Sequence, residues 1–450
     1  MATSRLAPQL HPILLSRMAE ARARTDAVLE MLPAGSLYDR PVPERHRLIF
    51  YLGHLEAFDW NLFGPVLDLK SCEPEFDKLF AFGIDPIGDG LPTDRPADWP
   101  SIARVHNYNQ GVRTALDDAL CAAGERGSSV PEIADGTLLN VAIEHRLMHA
   151  ETLAYLLHNL PVDRKISQAG PVADLRPAPS PRHIAIPAGV ATLGQPRRLP
   201  DAFGWDNEFG VQEVEVPGFS VDAFPVTNHE YLKFVRAGGY LDPGCWKPQD
   251  WEWKQRNGIA HPHFWTPRLN SFLTDPATEW DYRGMFGTIP LPPSCPVYVT
   301  YAEASAFARW SGRKLPTEAQ WHRAAYGAPD GTERPFPWGE SLPDWTRGNF
   351  HHERWDPTPV AAHPSGASAF GVSDLIGNGW EWTSTEFGPL PGFERFSFYP
   401  GYSADFFDGK HFVMKGGSPR TDRSMLRRSF RNWFQPHYPH VYATFRCVEE

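Results

Sequence analysis

The sequence has few cysteines, and it lacks any long run of apolar or basic residues. Its five cysteines, at positions 72, 121, 245, 295 and 447, include no CxxC pair, which argues against a disulfide framework and a structural zinc site. No window approaches the roughly 18 consecutive apolar residues of a membrane span. The first residues contain no readable secretory signal, because Pro8 and Pro12 interrupt their only apolar stretch. We therefore expect a cytoplasmic protein that does not insert into a membrane.

Positive charge is also scarce. The chain contains 43 Lys and Arg against 54 Asp and Glu, for a net charge of −11. A net acidic chain without a basic run is poorly suited to nucleic acids or to anionic membranes, so we expect neither as a partner. Proline is abundant instead, at 45 of 450 residues with 37 Gly, and much of the chain must therefore form loops and turns. The length allows two or three domains, at about 150 residues per domain.

Residues 1–160 are predicted to be helical. Apolar residues recur at helical spacing in four segments that are bounded by proline or other helix-ending signals. These segments are 11–32, 43–63, about 101–123 and 132–160. Four helices of about 20 residues, with a long connection over residues 64–100, predict a four-helix bundle.

The composition changes after residue 160. Repeated Pro, Ser, Gly and Ala over residues 161–182 predict an extended linker between domains. Residues 183–450 are rich in Gly, Trp and Pro, with short apolar strands such as 211–216 and 412–414, and only 229–236 and 302–325 look helical. We therefore expect a multidomain protein, in which an α-helical bundle precedes an irregular α+β domain with long loops.

Three histidines of the helical half form a candidate metal site. His145 and His149 are four residues apart in the fourth predicted helix, so their imidazoles share one face. His54 lies on the second predicted helix, and bundles build metal sites from facing helices. Three neutral imidazoles suit Zn, Fe, Cu or Ni. Spacing alone leaves other interpretations open, since such pairs also occur as core or surface residues, and His106 and His158 also lie on predicted helices.

Longer strings resemble a known family. GHLEAF at 53–58 together with the HxxxHxE pattern at 145–151 resembles the DinB-like domain of the ergothioneine-biosynthesis sulfoxide synthases. The second half is similar to the domain of formylglycine-generating enzymes, an irregular fold related to C-type lectins. The matching strings are IPAGVATLG at 186–194, FGWDNE at 203–208, FPVTNHEYLKFVRAGGY at 224–240, PVYVTYAEASAFARWSGRKLPTEAQWHRAA at 296–325, GNGWEWT at 377–383, KGGS at 415–418 and FRNWF at 430–434. They follow the family order over nearly the whole chain.

The resemblance implies a cofactor and a reaction. It implies that His54, His145 and His149 bind a non-heme Fe(II), and that O2 is a co-substrate. These enzymes join sulfur to the imidazole of hercynine, the trimethylated betaine of histidine, in a pocket between the two domains. Glu151, the final acid of the motif, is expected to orient a ligating imidazole by accepting its N–H.

The resemblance also implies substrate contacts in the second half. It assigns Asn432 to the hercynine side. A quaternary ammonium group makes no ordinary hydrogen bond and is best held against aromatic faces, which Trp380, Trp433 and Phe434 offer. For Trp380, a role in the core of the domain is the main alternative.

A proton donor and an anion-binding group are expected nearby in sequence. The resemblance places the tyrosine that donates a proton during oxygen reduction at Tyr402, with Tyr399 as the alternative. A phenol with a pKa near 10 is a suitable donor. Arg428 and Arg431 are candidates to bind a donor carboxylate or phosphate. They lie in an arginine-rich stretch that also contains Arg420, Arg423 and Arg427.

The sequence departs from the common family pattern at two places. Many of these synthases read HEQQHQE, with Gln directly before the second histidine, where this chain has Met148. The segment LFAFGIDPIGDGLP at 79–92 also differs from the usual donor loop. The donor therefore stays open between a cysteine-type thiol and a selenosugar, the substrate of the related selenoneine synthases. A non-catalytic metal-binding or ligand-binding module of the same architecture is the other alternative. Formylglycine-generating activity is disfavoured, since it needs a cysteine pair and only Cys447 lies near the relevant strings.

Overall fold

A computed structural model of the chain describes residues 10–81, 91–126, 130–166, 168, 170–197, 203–268 and 280–450. The chain divides into two compact units, residues 1–168 and 169–450. Each unit is described by itself below. Within the described ranges, no helix is both long enough and apolar enough to cross a bilayer.

The first unit is a helical bundle, as predicted. Its helices are α1 (Leu10–Leu29), α2 (Leu48–Phe63), α3 (Pro74–Leu79), α4 (Ile102–Arg126), α5 (Pro131–Ala134) and α6 (Thr137–His158). The four long helices α1, α2, α4 and α6 enclose the apolar core: α1 packs on α6, and α2 packs on both α4 and α6. The central helices α2 and α6 are buried along most of their length, which places their side chains inside the bundle.

Helix boundaries differ from the sequence predictions in several places. The first helix ends at Leu29 rather than at residue 32, and the second begins at Leu48 rather than at residue 43. The fourth predicted helix is divided into α5 and α6 by Gly136, whose φ of 77° is a left-handed conformation that glycine adopts without steric cost. The connection at 64–100 contains helix α3, which the periodicity did not predict.

The second unit is an irregular α+β fold, again as predicted. Its helices are α7 (Asn228–Arg236), α8 (Pro248–Arg256), α9 (Tyr301–Trp310) and α10 (Glu318–Tyr326). Its strands are β1 (His183–Ile186), β2 (Gly189–Leu193), β3 (Gln212–Val216), β4 (Phe219–Asp222), β5 (Trp265–Pro267), β6 (Trp280–Gly284), β7 (Gly287–Pro290), β8 (Gly379–Glu386), β9 (Phe412–Gly417), β10 (Asn432–Phe434), β11 (Ala443–Thr444) and β12 (Val448–Glu449).

The strands form small sheets rather than one large sheet. Their orders are β1-β4-β12, β2-β3, β5-β6-β7 and β10-β9-β8-β11. In the last of these sheets β8, β9 and β10 are antiparallel, and β11 runs parallel to β8. A core cluster fills the space between α10 and the strands, with Ile186, Val216, Val221, Trp321, Phe350, Leu375 and Val448 among its members. The four-stranded sheet carries four of the predicted substrate residues: Trp380 on β8, and Asn432, Trp433 and Phe434 on β10.

One long predicted helix is wrong, and one observed helix was missed. The predicted helix at 302–325 is two helices, α9 and α10, and each begins at its own capping box. Thr300 caps α9 with Glu303, and Thr317 caps α10 with Gln320. A second capping box inside an apolar pattern signals a new helix start, so the break was readable from the sequence. Helix α8 was missed because its polar, Trp-rich sequence has little apolar periodicity.

Candidate metal centre

His54, His145 and His149 converge inside the bundle. Each offers one ring nitrogen, and these atoms all lie within 4.8 Å of one another. The ring centroids are 5.2 Å apart for His54 and His145, 4.8 Å for His54 and His149, and 4.4 Å for His145 and His149. His54 comes from α2, and the other two come from successive turns of α6. All three are buried, so the geometry brings together the three residues that the sequence selected.

A backbone carbonyl orients the first imidazole. Nδ1 of His54 lies 2.7 Å from the carbonyl oxygen of Phe80, an acceptor only, so Nδ1 carries the proton and Nε2 keeps its lone pair. Ligating histidines commonly donate their other ring N–H in this way, which fixes the tautomer and raises the basicity of the ligand. Phe80 follows α3 in the long connection, and the sequence did not predict this contact. The residues directly beyond it, 82–90, include most of the divergent 79–92 segment and lie outside the described residues.

The imidazoles are held neutral. Burial lowers the pKa of His54 to about 4, although the contact with the Phe80 carbonyl acts in the opposite direction. Burial, and after it the neighbouring ring, lowers the pKa of His145 and of His149 well below the usual value. A neutral imidazole has a lone pair to donate, whereas a protonated one does not. The site is therefore ready to bind a cation at neutral pH.

Two ring nitrogens support the presence of a ligand at this site. Nδ1 of His145 and Nδ1 of His149 are buried and have no hydrogen-bond partner within the described part of the chain. Leaving a buried polar atom unpaired costs about 1–3 kcal/mol, and a metal ion that accepts a lone pair removes that cost. The donor set fits a borderline transition-metal ion such as Fe(II) or Zn(II). Three protein ligands leave coordination positions for substrate.

Aromatic rings enclose the imidazoles. Phe58 stacks on His145 with 3.4 Å between centroids and 9° between planes. Phe50 stacks on His54 at 4.9 Å and 19°. Phe58 lies one helical turn beyond His54 on α2 and stacks across the helix pair on His145 of α6. These rings limit rotation of the imidazoles and keep apolar surface beside them.

Glu151 lies on α6 and is half-buried. It follows His149 by two residues, and positions two apart do not share a helix face. The acceptor that the structure identifies for an imidazole of the triad is the Phe80 carbonyl. The role of Glu151 in orienting an imidazole stays a prediction.

In the second unit, Tyr402 and Trp433 belong to one aromatic cluster. Tyr402 is buried and stacks on Trp205 at 3.9 Å, and it meets Trp433 edge to face at 5.5 Å. Trp433 in turn stacks on Phe387 at 4.1 Å and 7°. Tyr399, the alternative proton donor, lies 5.5 Å from Tyr402. Sequence reasoning identified the two central rings and missed Trp205 and Phe387, which come from distant segments.

The other predicted aromatic contacts lie in different surroundings. Successive residues of a strand alternate between its faces, so Asn432 and Phe434 of β10 lie on the face opposite Trp433. Phe434 stacks on Tyr438 at 5.2 Å. Trp380 on β8 is buried, and its ring stacks on Phe430 at 5.9 Å, an arrangement that suits the alternative role in the core.

The two arginines are already engaged in ion pairs. Arg431 is buried and binds Glu318 through two bonds of 3.0 and 3.1 Å, and it also donates to the carbonyl of Gly388 at 2.9 Å. Arg428 is half-buried and pairs with Glu333 at 3.1 Å. Internal carboxylates therefore compensate both charges, and a role in binding an anionic substrate stays a prediction.

Fold and site together define the class of protein. A helical bundle with a buried three-histidine centre precedes an irregular α+β unit, and two family models match accordingly. The DinB superfamily matches residues 17–153, and the Sulfatase-modifying factor enzyme 1-like domain matches residues 170–450. The second match alone covers more than half of the chain.

Relatives of full length identify the family. The chain is 32% identical to the hercynine oxygenase of Mycolicibacterium smegmatis and 34% identical to that of Mycobacterium tuberculosis, in both cases over 97% of this chain and 98% of the relative. It is 29% identical to ergothioneine biosynthesis protein 1 of Neurospora crassa, over 100% of this chain and 60% of that protein. The chain belongs to the hercynine oxygenase family of ergothioneine biosynthesis, and it is an oxidoreductase.

Proposed function

We propose that the protein is a non-heme iron, O2-dependent enzyme that forms a carbon–chalcogen bond at the imidazole of hercynine. One observation carries this proposal: His54, His145 and His149 converge as three buried imidazoles inside the bundle. The substrate in this proposal is inferred from the relatives named hercynine oxygenase, which align over almost the whole chain.

The bundle provides a neutral, oriented set of ligands. When bound, Fe(II) supplies the redox chemistry that couples reduction of O2 to formation of the new bond. The lowered pKa values of the imidazoles keep their lone pairs available. The Phe80 carbonyl fixes the tautomer of His54, and the stacked Phe58 ring restricts His145.

We assign recognition of hercynine to the second unit. The trimethylammonium group needs aromatic faces, each worth about 0.5–2 kcal/mol, and the half-buried ring of Trp433 is the candidate to offer one. Asn432, on the opposite face of β10, is a separate candidate contact for hercynine. Its side-chain carbonyl accepts from the backbone N–H of Trp433 at 2.8 Å, which fixes the orientation of the amide. Tyr402 is the proposed proton donor, because a phenol is protonated at neutral pH and holds a proton that it can deliver.

The chalcogen donor is a thiol or a selenosugar. The relatives named for ergothioneine biosynthesis favour a cysteine-type thiol. The selenosugar is the second candidate, because Met148 and the 79–92 segment depart from the common sequence pattern of the sulfoxide synthases.

A competition experiment tests the proposal. The protein is loaded with Fe(II) without oxygen, then given hercynine, O2, cysteine, γ-glutamylcysteine and a selenosugar, and the products are identified by mass. We expect oxygen uptake and one dominant hercynine product that carries sulfur or selenium on the imidazole. Binding of hercynine without oxygen uptake would contradict the proposal and support the non-catalytic binding module.

A further inference from the structure

A chain of charged residues, buried at its inner end, connects the four long helices of the bundle. Arg113 of α4 bonds to Asp26 of α1 at 2.7 and 2.8 Å and to Glu56 of α2 at 2.6 and 2.8 Å. Glu56 also accepts from Arg146 of α6 at 2.5 Å, and Arg146 bonds to Asp59 of α2 at 2.5 and 2.9 Å. We call these five residues the ionic relay.

The inner end of the relay is fully enclosed. The side chains of Arg146, Glu56 and Asp59 are 0–1% exposed, whereas that of Asp26 at the outer end is 36% exposed. Removing ions from water is costly, and a buried ion pair is often no more stable than apolar residues of the same volume. Stability of the bundle is therefore a weak reason for three fully buried charges. Their location gives a better one.

Arg146 is next to one proposed metal ligand in the sequence, and it bonds to the residue next to another. It follows His145 directly, and its Nη2 donates to the carbonyl of Leu55 at 3.1 Å, the residue that follows His54. The same guanidinium bonds to Glu56 and Asp59, so four contacts tie one residue of α6 to three residues of α2. A shift of one residue along a helix moves a side chain by 1.5 Å and 100°. Such a shift would break these contacts and separate the imidazoles.

The charges also act on the site. Arg146 directly follows His145 and donates to the carbonyl of Leu55 beside His54, so its positive charge lies close to the imidazoles. The carboxylates of Glu56 and Asp59 offset that positive charge. These two carboxylates therefore limit the repulsion that Arg146 exerts on a cation bound beside it.

We propose that Arg146, held by Glu56 and Asp59, is a positioning residue of the metal centre, which sets the register of α2 against α6 and balances the charge beside the ligands. The proposal rests on the proposed function only in that the triad must bind a metal ion. It does not depend on the identity of the chalcogen donor or on turnover.

Isosteric variants test the proposal along the relay. Asp59→Asn and Glu56→Gln remove one inner charge each and keep the side-chain shape. Asp26→Asn makes the same chemical change at the exposed outer end and is the matched control. Each full-length protein is titrated with Co(II), followed by its visible absorption, and with Fe(II) against a competing chelator. Thermal unfolding without metal reports the stability of each variant separately.

We expect the two inner variants to bind metal about 10–100-fold more weakly, the usual cost of losing groups that support ligands, with a changed Co(II) spectrum. The Asp26→Asn protein should match wild type in affinity and spectrum. Arg146→Lys, which keeps the charge and part of the contact set, should retain more affinity than Arg146→Met. If Arg146→Met fails to fold, Asp59→Asn decides the matter, because its amide still accepts from Arg146.

Two results would overturn the inference. Wild-type affinity and spectrum in Asp59→Asn and Glu56→Gln would show that the inner charges do not position the ligands. Equal weakening in Asp26→Asn would assign the effect to general stability of the bundle. Failure of wild type itself to bind Fe(II) or Co(II) would contradict the proposed function instead, so the two failures are distinguishable.

Discussion

The two units carry their candidate functional residues in different ways. In the bundle, His54, His145 and His149 sit on regular helices, are buried, and have ring nitrogens within 4.8 Å of one another. In the second unit, the candidate residues lie on short strands and loops, and several already have partners inside the protein, as Arg431 has in Glu318. On a regular helix, the spacing of residues in the sequence determines which side chains lie on the same face, whereas on a loop it does not. The comparison predicts that substitutions act on chemistry in the first unit, and on a mixture of chemistry and stability in the second.

The largest effect is expected from His145→Ala. It removes one of the three proposed ligands and the stacking partner of Phe58, so iron retention and turnover should both be abolished. The bundle should remain largely folded, because the ionic relay and the apolar core are untouched. Metal analysis of the purified protein, with circular dichroism of the same sample, checks both statements.

His106→Ala is the matched control for His145→Ala. His106 is an exposed histidine of α4 in the same unit, and its loss should leave iron content unchanged. Full activity of His145→Ala with iron still bound would remove His145 from the ligand set and break the contrast between the two units.

A second prediction concerns Tyr402→Phe. The change keeps the ring that stacks on Trp205 and removes only the hydroxyl, so the fold and the iron content should be kept. If Tyr402 is the proton donor, turnover should fall by about 10²–10⁴-fold, the usual contribution of a general acid, or oxidation should give a different product. Product analysis beside Tyr399→Phe assigns the role. An unaltered Tyr402→Phe enzyme together with an impaired Tyr399→Phe enzyme would reverse the assignment.

The bundle and the pairing of His145 with His149 were predictable because local signals determine them, whereas the family resemblance was needed to select His54. Apolar periodicity set the four long helices, and the spacing of His145 and His149 placed them on one face. The Phe80 carbonyl that orients His54 was not predictable, since a backbone group of a long connection carries no side-chain signal. Arg146 was also missed as a partner of α2, although it stands inside the histidine motif, because a charged residue on a helix usually faces solvent.

In the second unit, the sequence identified residues but not their surroundings. The order of family strings singled out Tyr402 and Trp433, and the structure brings their rings together; their roles stay predictions. Pairing of Arg431 with Glu318 joins residues 113 positions apart, and no local pattern encodes such a contact. Long-range pairing in an irregular fold therefore decides which candidate side chains are available to a substrate.

The third prediction concerns the ion pairs of Arg431 and Arg428. Arg431→Met should cost about 3–5 kcal/mol of unfolding free energy, because it leaves the buried Glu318 carboxylate without its main partner. Arg428→Met should cost at most about 1 kcal/mol, since its pair with Glu333 is partly exposed. Chemical denaturation measures both values. A raised KM for the chalcogen donor in Arg431→Met, with stability unchanged, would instead support the substrate role predicted from sequence.

The smallest effect expected is on the pH dependence of stability of the metal-free protein. Burial lowers the pKa of His54 to about 4 in the folded state, against an ordinary value near 6.5. As the pH falls below 6.5, His54 therefore binds a proton in the unfolded chain but not in the folded protein. The free energy of unfolding decreases for this reason until the pH reaches about 4. The loss due to His54 is at most about 3 kcal/mol. In metal-free His54→Leu, unfolding free energy should fall less steeply between pH 7 and pH 4.5 than in wild type, whereas His106→Leu should retain the wild-type slope. An identical slope in His54→Leu would mean that His54 does not resist protonation. The electrostatic difference between the two units, neutral imidazoles in the bundle and ion-paired arginines in the second unit, would then lose its support.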